Sequence, residues 1–350
     1  MSKVKTLSFA LAALSLLLVG AARGGPLELK QVAAEAKWLG HVDFDAARSS
    51  PVVSRFMKEC GKELPMLRWL SLICKQAGFD DCQKLHGLTI YGLEFGPHRG
   101  VVLVHADWNQ QALAEKIQKA PDHKKIEYNG QPVHLWTMHK GTRYAHRAAA
   151  TFPKPDLLVL GANLELVIGA LDVLNDKAAN LTAAKGEFAA KVPEGAIWLL
   201  RVKDVGDSRI AKRCGIFQAV ETVNYDEGQR GSQWFGNLRV VAKSKTDAED
   251  LKKILDGLTA AFALHFRDRP KLAEILRHMQ VATDGNVTVV TFNESVDKLA
   301  AHMPEFCQEI GKQLRMHKRW MLQKQLDRRD GPGTPPCPMC PMMREAEGDK

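Results

Sequence analysis

Gly236 to Phe266, GNLRVVAKSKTDAEDLKKILDGLTAAFALHF, decides the fold class of this chain. Leu238, Val240 and Ala242 alternate with Arg239, Val241 and Lys243, the period of a strand with one face more buried than the other. Thr246 and Asp247 are good N-cap residues, and Glu249 and Asp250 put negative charge in the first turn of a helix. Leu251, Ile254, Leu255, Leu258 and Phe262 then recur at helical spacing, which predicts an apolar stripe lying on a sheet. The stretch reads as a strand running into a long helix.

Gly100 to Ala120 repeats the plan. Val102 and Val104 alternate with Leu103 and His105, Asp107 or Asn109 is placed to cap, and Leu113 and Ile117 share a helix face. The flanks agree. Trp38-Leu39 and Trp198-Leu199 each fall early in a strand, at similar distances before the strand–helix unit. The expectation is two related halves, residues 25–177 and 178–310, each a mainly antiparallel sheet with packed helices. Short turn signals between strand patterns support the antiparallel reading: Gly96-Pro97-His98-Arg99, Asn129-Gly130 and Thr283-Asp284-Gly285. Asp43-Phe44-Asp45 ends the first strand, and Ser50-Pro51 opens a helical segment that runs to Gly78. His139 to Phe152 is basic and has no clear period.

Asp156 to Gly161 with the helix ending Ala170-Leu171-Asp172-Val173-Leu174, the hairpin strand Leu88-Thr89-Ile90-Tyr91-Gly92, and Leu238 to Ser244 resemble a family of uncharacterised exported bacterial proteins. The resemblance spans Ala36 to Met303. It implies a signal peptide and an α+β body, and it supplies no catalytic residues.

Residues 1–24 read as a secretory signal. Lys3 and Lys5 precede the apolar run Leu7 to Val19, and small residues follow, so cleavage is expected after Ala22 or Gly24. The run is short for a spanning helix, and the mature chain is expected to carry no transmembrane segment. Export places the protein in the periplasm or outside the cell. The formal charge of +9 falls when Lys3, Lys5 and Arg23 leave with the signal. The remaining basic balance favours anionic envelope surfaces without naming a partner, and export removes the usual nucleic-acid target.

Seven cysteines in an exported chain leave at least one unpaired or intermolecular. One bridge is expected among Cys60, Cys74 and Cys82. The Asp43/Asp45 pair and the cluster His134, His139 and His146 are conceivable metal sites, although neither has a familiar ligand spacing, and strand-end caps and surface histidines are the commoner explanations.

Residues 311–330 read as a basic helix, with Lys312, Arg315, Lys318, Arg319 and Trp320 placed to touch an anionic surface or another protein. A solvated helix end is the plainer alternative. Residues 331–350 form a Pro/Cys/Met-rich flexible tail. Its Cys337, Met339, Cys340 and Met342 are a soft donor set suited to Cu(I), while zinc would need more ligands than one C-x-x-C supplies. A small disulfide or thiol exchange are the other readings of that motif.

The chain holds no nucleophile elbow, H-E-x-x-H or phosphate-loop motif. The reading is therefore an exported non-catalytic binding or scaffolding protein with no resident cofactor. Envelope Cu(I) or Zn handling through the tail is the alternative, and an unrecognised hydrolase is the third class.

Overall fold

The structure, a computed structural model, describes residues 25–61, 82–309, 311–312 and 316. The first-half strands are β1 (Trp38–Asp43), β2 (Leu85–Gly92), β3 (Gly100–Ala106), β4 (Lys124–Tyr128), β5 (Gln131–Met138), β6 (His146–Lys154) and β7 (Leu157–Gly161). Those further on are β8 (Ala196–Lys203), β9 (Val220–Arg230), β10 (Gln233–Ala242), β11 (Gln280–Asp284) and β12 (Val287–Ser295). The class is α+β, with antiparallel neighbours throughout the described strands.

One expectation is corrected here. The strands do not divide into two sheets. They form one twelve-stranded sheet in the order β11-β12-β10-β9-β8-β1-β2-β3-β7-β6-β5-β4. The join is the antiparallel pair β1–β8, where Trp38 faces Val202, Gly40 faces Leu200 and Val42 faces Trp198. The physical reason is that an edge strand leaves a row of unpaired N–H and C=O groups, and pairing two such edges satisfies both.

Local chemistry sets the elements. Asp43 caps α1 (Phe44–Ser49) by accepting from the Ala46 N–H at 2.9 Å. Ser50 caps α2 (Pro51–Cys60), with proline in the first turn. Asn109, one of the two anticipated caps, holds α3 (Gln110–Gln118) through the Ala112 N–H at 3.0 Å. Asn129 and Gly130 both have positive φ, which a two-residue hairpin turn requires, and they join β4 to β5.

Helices lie on both faces. On one face α4 (Leu164–Leu174) packs Val167, Ala170 and Leu171 against Leu39, Leu103 and Val159. On the other, Ile117 of α3 meets Ala150 and Leu158. Beyond the short α5 (Arg209–Arg213), the long α6 (Lys245–His265) sets Ala248 and Leu251 against Val240 and Ala242. Its cap is Ser244, not the predicted Thr246 or Asp247.

The predicted sheet-facing stripe on α6 holds only at its start. Ile254, Leu258 and Phe262 are exposed, at 38%, 49% and 52%. A 21-residue helix runs about 30 Å, whereas the five residues of β11 beside it reach about 17 Å, so the helix outruns its platform. Its later turns meet α7 (Pro270–Arg277) instead. Residues 296–309 form a further helix, whose Val296, Leu299 and Met303 pack on Val52, Val53 and Trp234. A disulfide, Cys60–Cys307, ties that helix to α2.

A buried histidine sits beside the central strand pair. His41 on β1 has Nδ1 2.9 Å from Thr89 Oγ1 and Nε2 3.1 Å from the Gly25 carbonyl. A neutral ring fits both contacts, donating from Nε2 and accepting at Nδ1. Burial pulls its pKa down to about 4, with nearby His105 adding to the effect and the Gly25 carbonyl opposing it. The unfolded ring binds its proton near 6.5, so the unfolded state takes up more protons between about pH 6.5 and 4. Stability from this group is complete above that window and falls by about 3 kcal/mol as pH drops through it. Urea midpoints at pH 7, 5.5 and 4 should show His41→Gln losing this part of the acid slope. An unchanged slope in the variant would place the acid sensitivity elsewhere.

Candidate functional site

A cavity of about 410 Å³ opens where α4 crosses the ends of β2 and β3. That volume lies within the range of small-ligand sites. Four separate segments build it. Tyr91 and Val101 form the floor, and Leu166, Gly169 and Ala170 of α4 form one wall. Ala33 and Ala179 come from two loop segments that are stitched together. The Ala34 N–H donates to the Ala179 carbonyl at 3.0 Å, and Ala33 bridges Asn180. Leu93, Glu94 and Arg99, in the β2–β3 connection, make the lip.

Helix α4 is aimed by its cap. Asn163 Oδ1 accepts from the Leu166 N–H at 2.9 Å, and this sets Glu165 and Leu166 at the mouth. Gly169 sits mid-helix, where glycine costs about 1 kcal/mol relative to alanine. A Cβ built there meets nothing within 4 Å. The missing side chain therefore leaves cavity space open.

Tyr91 is the unusual wall residue. It is 2% exposed, and its hydroxyl has no hydrogen-bond partner among the described residues. An orphaned buried hydroxyl costs about 1–3 kcal/mol. Burial raises its pKa, so it stays a neutral donor across the ordinary pH range. At the mouth, Arg99 Nη1 lies 3.4 Å from Glu94 Oε2. Glu35 and Glu165 line the same mouth, are exposed, and make no ion pair among the described residues. The arrangement can bury an apolar body, offer it one hydroxyl and present carboxylates at the entrance.

The residues singled out in the sequence fall elsewhere. Cys337, Met339, Cys340 and Met342 lie outside the described residues, as do Arg315, Lys318, Arg319, Trp320 and Cys74. Lys312 is described and exposed. Cys60 bonds to Cys307, a partner outside the anticipated trio, and Cys82 is disulfide-bonded to a cysteine outside the described residues. Asp43 and Asp45 act structurally: Asp43 caps α1, and Asp45 contacts Arg48 and His86.

The three histidines separate. His134 is buried against His123, with ring nitrogens 3.0 Å apart, while His139 and His146 pair at 5.8 Å between ring centres. Among the described residues no group of three or more His, Cys, Asp or Glu is arranged to hold a metal ion. No described helix is long and apolar enough to cross a membrane. Sequence reasoning missed Tyr91 as a site residue. The available signal was Gly169, a glycine inside an otherwise strongly apolar helix.

No family model and no curated protein matches the chain, in keeping with its resemblance to an uncharacterised family. Distant structural neighbours exist. The solved structure of TP0453 in crystal form III has a TM-score of 0.40 at 10% identity, covering 80% of this chain and 99% of that one. Crystal form IV of TP0453 also scores 0.40 at 10% identity, covering 81% and 100%.

Proposed function

We propose that this is an exported, non-catalytic binding protein of the cell envelope, and that the cavity under α4 is its ligand site. The observation that carries the reading is the Tyr91 hydroxyl, buried in the cavity wall without a partner. Retaining a destabilising polar group is expected where function uses it. The glycine opposite, whose added Cβ would enter open space, supports the same reading.

The Cys60–Cys307 bridge and the bonded state of Cys82 favour an oxidising compartment, which supports export alongside the Lys3, Lys5 and Leu7–Val19 signal pattern. An internal duplication is part of this reading. β1, β2 and β3 run outward from the central pair as β8, β9 and β10 do on its other side, and Trp38-Leu39 matches Trp198-Leu199 across Gly40–Leu200. The α4 cavity then belongs to one half alone, a specialisation of a repeated scaffold.

The test uses the mature chain and the neutral polarity-sensitive dye N-phenyl-1-naphthylamine. Wild type should give saturable fluorescence enhancement. Gly169→Leu should abolish it by filling the cavity, while the helix gains a better former and stays folded. Tyr91→Phe should melt at the same temperature or higher, since it removes an orphaned hydroxyl. Equal dye binding by wild type and Gly169→Leu would remove the cavity from the functional account.

A further inference from the structure

We infer that the α4 cavity selects a cationic amphiphile, a ligand with an apolar body seated against α4 and an ammonium group held between Glu35 and Glu165 at the mouth. This rests on the cavity being the ligand site. Three observations converge. The interior wall is almost entirely apolar, formed by Leu166, Ala170, Val101 and Ala179. It favours a hydrocarbon body, because burial of apolar area drives binding there.

The mouth is acidic although the chain is basic. Glu35, Glu94 and Glu165 stand against Arg99 alone, in a protein of formal charge +9. Glu94 is occupied by Arg99. Glu35 and Glu165 remain as carboxylates without a cation among the described residues. An anionic head would face two uncompensated like charges, and a cationic head would face two complementary ones.

The third observation is Tyr91. Its unpartnered hydroxyl gives the wall one neutral hydrogen-bonding group beneath the charged rim. A ligand carrying a hydroxyl, ether or amide along its body would meet that group, whereas a plain alkyl chain would leave it unpaired. The recognised chemistry is therefore an amine-bearing amphiphile, with added affinity for one that has a polar atom along its chain.

The experiment compares octylammonium, octanol and octanoate as competitors of N-phenyl-1-naphthylamine on the mature chain, below their aggregation concentrations. Octylammonium should compete best and octanoate worst. In the double variant Glu35→Gln/Glu165→Gln the octylammonium affinity should fall about five- to tenfold, the scale of two exposed ion pairs. Octanol affinity should not move. Both residues are exposed and unpaired, so the variant should melt like wild type. Raising the salt concentration should weaken octylammonium selectively.

Octanoate binding as tightly as octylammonium, or an octylammonium affinity untouched in the double variant, overturns the ligand class while leaving the cavity as a site. Failure of all three competitors together with absence of dye binding overturns the cavity reading itself.

Discussion

Replacing Arg201 with methionine is expected to cost about 3–5 kcal/mol, the scale for removing one partner of a buried charged group. Arg201 is 1% exposed in the middle of β8. Its Nη1 donates to the Phe188 carbonyl at 3.0 Å and to the Ala190 carbonyl at 2.6 Å. These bonds pin the segment linking α4 to β8 down onto the sheet. Asn224 on the neighbouring strand adds a third tie, from its amide to the Glu187 carbonyl at 2.6 Å.

The charge partner is more distant. Asp226 Oδ1 lies 3.9 Å from Arg201 Nη2, too far for a hydrogen bond, and burial raises the Asp226 pKa against the opposing pull of Arg201. Methionine keeps much of the apolar stem and removes the guanidinium, leaving Asp226 and two carbonyls without their donor. Denaturant midpoints should fall accordingly, and exchange of amide protons at residues 187–190 should accelerate ahead of the sheet. A loss below about 1 kcal/mol would mean that the apolar contacts of Phe188, 6% exposed, hold the linker without help.

Removing the Cys60–Cys307 bridge should have an effect of similar size. The two cysteines are 247 residues apart in sequence, and their Cα atoms are 5.3 Å apart in the fold. Closing so long a loop restricts the unfolded chain by about 3–5 kcal/mol on the loop-entropy account. The bridge also couples two helices that otherwise meet through Val52, Val53, Leu299 and Met303. Cys60→Ala/Cys307→Ala, compared with wild type under non-reducing conditions, should unfold at lower urea, with most of the loss reproduced by reducing the wild type. The double alanine chain should still bind N-phenyl-1-naphthylamine, because neither cysteine lines the α4 cavity. A midpoint unchanged by either treatment would show that the helix contacts alone keep the chain's two ends together.

Local signals were read well where they are self-contained. The sequence bounds of β3, β4, β7 and β10 match the structure, because alternation and flanking turns such as Asn129-Gly130 are properties of neighbouring residues. β6 escaped for a reason the structure makes plain. Ala149 packs into the core under α4 and Ala150 into the core under α3, each fully buried. A strand covered on both faces has no apolar–polar period to detect. The stripe on α6 misled for the opposite reason: the helical period is real, but its later turns extend beyond the sheet that would have covered them.

By itself the sequence determined the α+β class, the antiparallel turns, and the caps at Ser50, Asn109 and Asn163, because propensity, periodicity and capping act within a few residues. Tertiary structure decided the rest. It merged the expected sheets through β1 and β8, chose Cys307 as the partner of Cys60, and buried His41 and Arg201 beside that junction. It also assembled the α4 cavity from residues as far apart as Ala33 and Ala179. Each of these depends on which distant surfaces meet, and that is settled by the pairing of strand edges and the burial of apolar faces across the whole chain.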